Sequence, residues 1–133
     1  DANSTVVRTA DAPLEGPFSL RVSITGYGNN VWWSYGFEGG RARSFQVGAR
    51  LRSDLASSSS LQFCAMVYYA DGTTVLDCTA VSGSVGDKGT VAAALTLDES
   101  KPLASVRIRL FQEGSAPVSF TLDAATAYLD VVA

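Results

Sequence analysis

The chain is predicted to be an all-β domain, a sandwich of two antiparallel sheets, on three observations. Apolar residues come in short runs that alternate with small or charged ones at period two, and Gly, Ser, Asn and Asp break the runs at regular intervals. No window of a dozen residues keeps a 3.6-residue apolar period; residues 90–97, the best helical candidate, are short and read equally well as a strand. With 133 residues, 47% of them apolar, the chain fits a single domain (1–133, with 1–5 as a candidate linker) and carries enough side chain for one core. A closed barrel is the alternative architecture.

The clearest strand is 18–24, where Phe18, Leu20, Val22 and Ile24 share one face. Gly26, Gly28, Asn29 and Asn30 make a turn-rich loop before the aromatic strand 31–37, which Gly39 and Gly40 end. Residues 44–52 alternate again, with Phe45, Val47, Ala49 and Leu51 on one side and Gln46, Gly48, Arg50 and Arg52 on the other; a serine run, 57–60, follows as a connection. Residues 61–69 and 73–80 flank Ala70-Asp71-Gly72, a hairpin turn with Gly where a left-handed residue is needed. Counting from that turn sets Cys64 opposite Cys78 in a non-hydrogen-bonded pair, where side chains approach most closely, so a cross-strand disulfide is expected. It would imply an oxidising compartment; the alternative is two free buried thiols in a cytosolic protein. Glycine-rich loops at 82–84 and 86–89 precede a strand at 91–97, and strands at 105–111, 118–122 and 127–132 complete eight or nine.

Composition excludes several function classes. The formal charge is −3, from 10 basic and 13 acidic residues, which argues against a nucleic-acid surface built on net charge. The absence of histidine removes imidazole bases, Ser-His and Cys-His nucleophile pairs and imidazole zinc sites. No apolar run is long enough to predict a helical membrane span, and the polar first residues are unlike a signal peptide, so an exported form is expected to have lost its signal already. Glu15, Glu38, Glu99 and Glu113 fall in or near expected loops with no motif that sets two of them across a cleft, so a glycosidase is not expected.

A binding surface is easier to assemble. Trp32 and Trp33, adjacent in one strand, must point to opposite sides of its sheet. The column Val31, Trp33, Tyr35 and Phe37 reads as the buried face, leaving Trp32 beside Ser34 and Gly36 on the open one; a one-residue bulge would exchange the two tryptophans, so both are candidates. An exposed indole suits the C–H face of a pyranose. With Phe63, Ala65, Val67 and Tyr69 inward, Gln62, Met66 and Tyr68 share the outer face, and Tyr68 is a second candidate platform. Arg50, Arg52, Arg107 and Arg109 all leave the core in pairs spaced by two, and guanidinium forks bind carboxylates in bidentate fashion, which suits a uronate-containing glycan. The plainer reading pairs these arginines with Asp54, Glu99, Glu113 or Asp130.

The order of these pieces resembles a known family. Gly16-Pro17-Phe18-Ser19-Leu20-Arg21-Val22, then Trp32-Trp33-Ser34-Tyr35, then Phe45-Gln46-Val47-Gly48-Ala49-Arg50-Leu51-Arg52, is similar to the opening run of jelly-roll carbohydrate-binding modules of the family 4/9/16/22 type. Tyr68-Tyr69-Ala70-Asp71-Gly72-Thr73 resembles their hairpin, and Val118-Ser119-Phe120-Thr121-Leu122-Asp123 through Leu129 their closing strands. The usual Asn-Gly-Phe-Glu opening is not recognisable in residues 1–9, and the usual acidic pair near the end is a single Asp123 followed by Ala124 and Ala125. The resemblance implies a jelly roll and a non-catalytic, secreted module that carries a parent enzyme's catalytic domain to polysaccharide. It also implies a structural calcium away from the sugar face, for which Asp11, Asp123 and nearby carbonyls are the candidate oxygen ligands. The competing expectation is a structural or adhesive β-sandwich of a cell-surface or phage receptor-binding protein.

Overall fold

A computed structural model describes residues 4–9, 19–24, 30–53, 60–81, 88–113 and 118–132. The expected loop at Gly26, Gly28 and Asn29, Ser57 to Ser59 of the serine run, the loop through Ser84 and Asp87, and Phe18, Glu15, Asp54 and Asp11 lie outside the described residues. Nine strands and no helix are described: β1 (Ser4–Thr9), β2 (Ser19–Ile24), β3 (Asn30–Gly36), β4 (Ala42–Ser53), β5 (Ser60–Tyr69), β6 (Thr74–Val81), β7 (Lys88–Thr96), β8 (Leu103–Glu113) and β9 (Val118–Val131). They form two antiparallel sheets, one ordered β1-β2-β9-β4-β7 and the other β3-β8-β5-β6. The sheets pack face to face, and the core holds the inward residues of both: Phe45, Val47, Ala49 and Leu51 of β4 meet Phe63, Ala65 and Val67 of β5, Ile108 and Leu110 of β8, and Phe120 and Leu122 of β9. In β4, β5 and β8 the inward run is the one the period-two alternation selects.

Two expectations are corrected. Ser4 and Thr5, taken as candidate linker, open β1 and pair with Ile24 and Ser23. Tyr35, placed in the buried column, is 58% exposed although it pairs with the buried Val106, because among the described strands β3 is the edge of its sheet.

The hairpin follows the expected register residue for residue, Leu61 with Val81 through Tyr68 with Thr74. Gly72 takes φ +89°, the left-handed conformation that this turn requires, and its N–H donates to the Tyr69 carbonyl at 3.0 Å. Cys64 and Cys78 are directly opposite, with Cα atoms 4.1 Å apart, and are joined as a disulfide.

Among the described residues three bulges break the alternation. Arg43 is the extra residue between Ala42 and Ser44, Ala104 the extra one between Leu103 and Ser105, and β9 gains a residue between Asp123 and Thr126 opposite Gly48 to Arg50. In β9 this turns the inward set from Val118, Phe120 and Leu122 to Ala127 and Leu129, so the two expected strands 118–122 and 127–132 are one continuous strand with a change of phase.

Side chains also close one flank of the sandwich. Thr79 Oγ1 donates to the Ala92 carbonyl at 2.8 Å and the Ala94 N–H donates to Asp77 Oδ2 at 3.1 Å, so edge strand β6 of one sheet supplies hydrogen-bond partners to edge strand β7 of the other. At the end of the sandwich where β3, β5, β7 and β9 finish, the connections are knitted by backbone bonds such as Gly39 N–H to the Leu103 carbonyl and Ala70 N–H to the Pro102 carbonyl.

Candidate functional site: two outward sheet faces

The expected arginines do not meet on one surface. Arg50 and Arg52 stand on β4, in the five-stranded sheet, and Arg107 and Arg109 on β8, in the four-stranded one; since the inner faces of both sheets make the core, the two pairs look out from opposite sides.

The four-stranded sheet brings together Tyr68, Gln62, Arg107 and Arg109. Its outward positions fall in four rows: Asn30–Phe111–Gln62–Ala80, Trp32–Arg109–Cys64–Cys78, Ser34–Arg107–Met66–Leu76 and Gly36–Ser105–Tyr68–Thr74. The register thus sets Trp32 in the arginine and disulfide row, and Trp33 opposite Ile108; the side chains of both tryptophans lie outside what the structure describes. Arg107 packs its guanidinium 4.9 Å from the centre of the Tyr68 ring and donates from Nη1 to Tyr68 Oη at 3.2 Å, and Arg109 stacks 4.9 Å from the centre of the Phe111 ring. Tyr68, expected as a bare platform, therefore has a guanidinium over its ring and is half-buried.

The five-stranded sheet offers the exposed ring. Its outward rows across β9, β4 and β7 are Tyr128–Gln46–Ala94, Thr126–Gly48–Ala92, Asp123–Arg50–Thr90 and Thr121–Arg52–Lys88. Tyr128 is 63% exposed, Gln46, Thr126, Ala92, Ala94, Thr90 and Arg50 are exposed as well, and the residues between Tyr128 and Arg50 are small, so an aromatic ring and an amide face a flat floor that ends in a guanidinium. Along β4 the distance from Gln46 to Arg50 is roughly 13 Å at the rise of an extended strand. Arg52 is oriented by donating from Nη2 to Thr121 Oγ1 at 2.9 Å, and that threonine is fully buried although it is on the outward side.

Tyr128 was not among the residues that the sequence pointed to. The signal that could have found it was the Ala124-Ala125 pair, where a run of small residues lets a bulge form and moves the tyrosine outward.

Two of the acids offered as arginine partners are taken by the bulged Arg43, whose Nε lies 3.5 Å from Glu99 and Nη1 3.6 Å from Asp130. Asp54 is outside the described residues, as is the side chain of Glu113. For the calcium ligands, Asp11 is likewise outside, and of Asp123 the backbone alone is placed, opposite Arg50. Among the described residues no group of three or more acidic, Cys or His side chains could hold a metal ion.

A cavity of about 330 Å³ opens between the sheets beside β3, lined by Tyr35, Phe37, Phe45, Val106, Ala127 and Leu129. Apart from the Tyr35 hydroxyl these side chains carry no polar atom, so the cavity lacks the groups that would orient a sugar.

Neither a family model nor a curated protein matches the chain by sequence. Solved structures match by fold. The CBM22-1 xylan-binding domain from Paenibacillus barcinonensis Xyn10C has a TM-score of 0.69 at 16% identity, over 100% of this chain and 85% of that one. A family 16 carbohydrate-binding module has a TM-score of 0.66 at 13% identity, over 92% of this chain and 84% of that one. The CBM22-1 and GH10 modules of the Clostridium thermocellum endo-1,4-β-D-xylanase 10B, complexed with xylohexaose, match with a TM-score of 0.72 at 8% identity, over 97% of this chain and 25% of that one. The fold is that of the jelly-roll carbohydrate-binding modules that the strand order resembles, and in the xylanase 10B structure such a module stands in one chain with a GH10 module.

Proposed function

From a fold shared with carbohydrate-binding modules, we propose that the chain is a non-catalytic module that binds polysaccharide through the outward face of its five-stranded sheet. The observation that carries the reading is Tyr128, 63% exposed beside the exposed Gln46, on a floor of small residues with Arg50 at its far end. Stacking on the ring buries the apolar face of a pyranose, the Gln46 amide selects hydroxyl orientation, and the rigid sheet keeps the entropic cost of binding low. Arg50 and the oriented Arg52 favour a glycan that carries carboxylates, so a uronate-containing chain is the proposed ligand.

Such a module raises the local concentration of an attached catalytic domain on an extended substrate. The Cys64–Cys78 disulfide supports an oxidising compartment, and secretion is the proposed setting. Native electrophoresis through gels that contain xylan, mannan, β-glucan, alginate or pectate is the test: we expect retardation in an acidic gel, weakened about tenfold or more by Tyr128→Ala, since one well-packed aromatic is commonly worth over 1 kcal/mol. Retardation in no gel would move the reading to a structural or adhesive sandwich.

A structural calcium held by Asp11 and Asp123 is proposed on the strength of the family resemblance alone. Thermal unfolding with calcium and with chelator decides it: a rise in Tm with the ion is expected, and equal values would end the idea.

A further inference from the structure

We infer that Asp77 and Thr79 of the four-stranded sheet position the β7 side of the polysaccharide face, and that the Cys64–Cys78 disulfide holds them in place to do so, so that a dithiol reductant weakens binding. The inference rests on the proposed use of the five-stranded face for polysaccharide.

It starts from a pattern that is inverted for a strand of a sandwich. In β6, Asp77 and Thr79 stand opposite Ala65 and Phe63, which are fully buried, so both polar residues are on the core side of their strand. Leu76, on the other side, is 50% exposed. Polar groups turned toward a core are costly unless partners meet them. Among the described strands β6 is an edge, so these two side chains reach the rim of the sandwich, where they are exposed and meet β7 of the other sheet. Asp77 Oδ2 accepts from the Ala94 N–H at 3.1 Å, and Thr79 Oγ1 donates to the Ala92 carbonyl at 2.8 Å.

The partners tie this contact to the ligand face. Ala94 and Ala92 are the β7 residues that complete the rows Tyr128–Gln46–Ala94 and Thr126–Gly48–Ala92. Among the described strands β7 is the edge of its sheet, with β4 as its ladder partner. The side of the floor away from Tyr128 is therefore held by one ladder and by the bonds from β6. Edge strands open more readily than central ones, so bonds to the outer backbone groups of β7 bear on how flat and fixed that floor is.

The disulfide anchors the strand from which those bonds leave. Cys78 lies between Asp77 and Thr79, and Cys64 is buried on β5, which pairs on both sides, with β6 and with β8. The bridge thus pins the middle of an edge strand to a central one. Cys78 is partly exposed, so a thiolate can approach from its side. The first thiolate of a dithiol attacks Cys78 Sγ, and Cys64 leaves as a thiolate and takes up a proton. The second thiol closes on the first and releases Cys78, which leaves two protein thiols and the cyclic disulfide of the oxidised reductant. The bonds to Ala92 and Ala94 then hang from a looser strand.

The test uses the full chain and two readouts, retardation in a polygalacturonate gel and hydrogen exchange of the Ala94 amide followed by NMR. D77A/T79V should speed exchange at Ala94 while amides of the ladder between β4 and β9 keep their rates, and should weaken retardation about fivefold, the scale of one lost hydrogen bond. D77N/T79S keeps an acceptor and a donor and should restore both readouts, which a general loss of stability would not allow. Dithiothreitol should act in the same direction as D77A/T79V, and C64A/C78A does the same work where the folded chain resists reduction. Faster exchange at Ala94 with unchanged retardation, or both readouts unchanged in D77A/T79V, would overturn the inference; an effect of D77A/T79V with none in C64A/C78A would overturn the part given to the disulfide. Retardation that is absent in the wild type, or that Tyr128→Ala leaves untouched, sinks the proposed use of the five-stranded face and this inference with it. That outcome is told apart because Ala94 exchange still responds to D77A/T79V.

Discussion

Asp71 accepts hydrogen bonds from both the N–H and the Oγ1 of Thr73, at 2.9 and 2.6 Å, and pairs at 3.0 Å with Lys101 Nζ. The Thr73 hydroxyl, then the Thr73 amide, then the Lys101 ammonium bring its pKa from 3.8 down to about 2. Lys101, also 5.0 Å from the Tyr69 ring centre, is raised in turn, chiefly by Asp71. A carboxyl lowered by folding adds stability that is complete above its unfolded pKa and disappears as pH falls through its folded one. The tie between the hairpin tip and the turn before β8 should therefore weaken between about pH 4 and pH 2, and the difference in Tm between wild type and Asp71→Asn should shrink across that window in an acid titration. A constant difference down to pH 2 would refute the assignment. At the alkaline end the Lys101 contribution is complete below its ordinary pKa and fades above it. The turn glycine and the aspartate beside it were both legible in the sequence, because local turn chemistry needs no knowledge of distant strands. Lys101 was not, because its part depends on two connections meeting at one end of the sandwich.

At the scale of elements, strand phase decided what could be read. β5 and β6 form a two-stranded unit whose register a single turn sets, and the disulfide follows from that register alone. The bridge closes a separation of 14 residues, worth on the order of 3 kcal/mol in the chain-entropy picture, so reduction or a Cys64→Ala/Cys78→Ala variant should lower the urea midpoint by a matching amount without a change of fold. A midpoint that does not move would mean the hairpin is held by packing and the Asp71–Lys101 tie instead. β9 is the opposite case. Its bulge lies where Asp123 to Thr126 pass Gly48 and Arg50, and the extra residue reverses inward and outward for everything that follows. The sequence offered the two halves of β9 as separate strands, with no phase carried from one to the other, which is why Tyr128 escaped notice. β3 failed in another way: its alternation is regular, but an edge position leaves Tyr35 exposed, and edge or centre is a property of the sheet.

For the whole molecule, the fold was legible because the eight or nine short alternating runs read from the sequence leave few ways to bury their apolar faces, and two packed sheets are the simplest. The binding surface was legible in its residue types and not in its assembly. Nothing local to Arg50 or Arg107 says which sheet its strand joins, so four arginines that look alike in sequence separate onto opposite sides. That separation turns one expected site into two surfaces with different chemistry, an uncovered tyrosine on one and ring-backed guanidiniums on the other. The bonds from Thr79 to Ala92 and from Ala94 to Asp77 bear on what happens when many copies gather on one polymer. Sheet edges with free amides and carbonyls recruit strands from other molecules, and crowding on a surface favours that growth. Here the groups that a visiting strand would need at Ala92 and Ala94 are already engaged from within, so a strand arriving at the middle of β7 would have to displace Thr79 and Asp77 first.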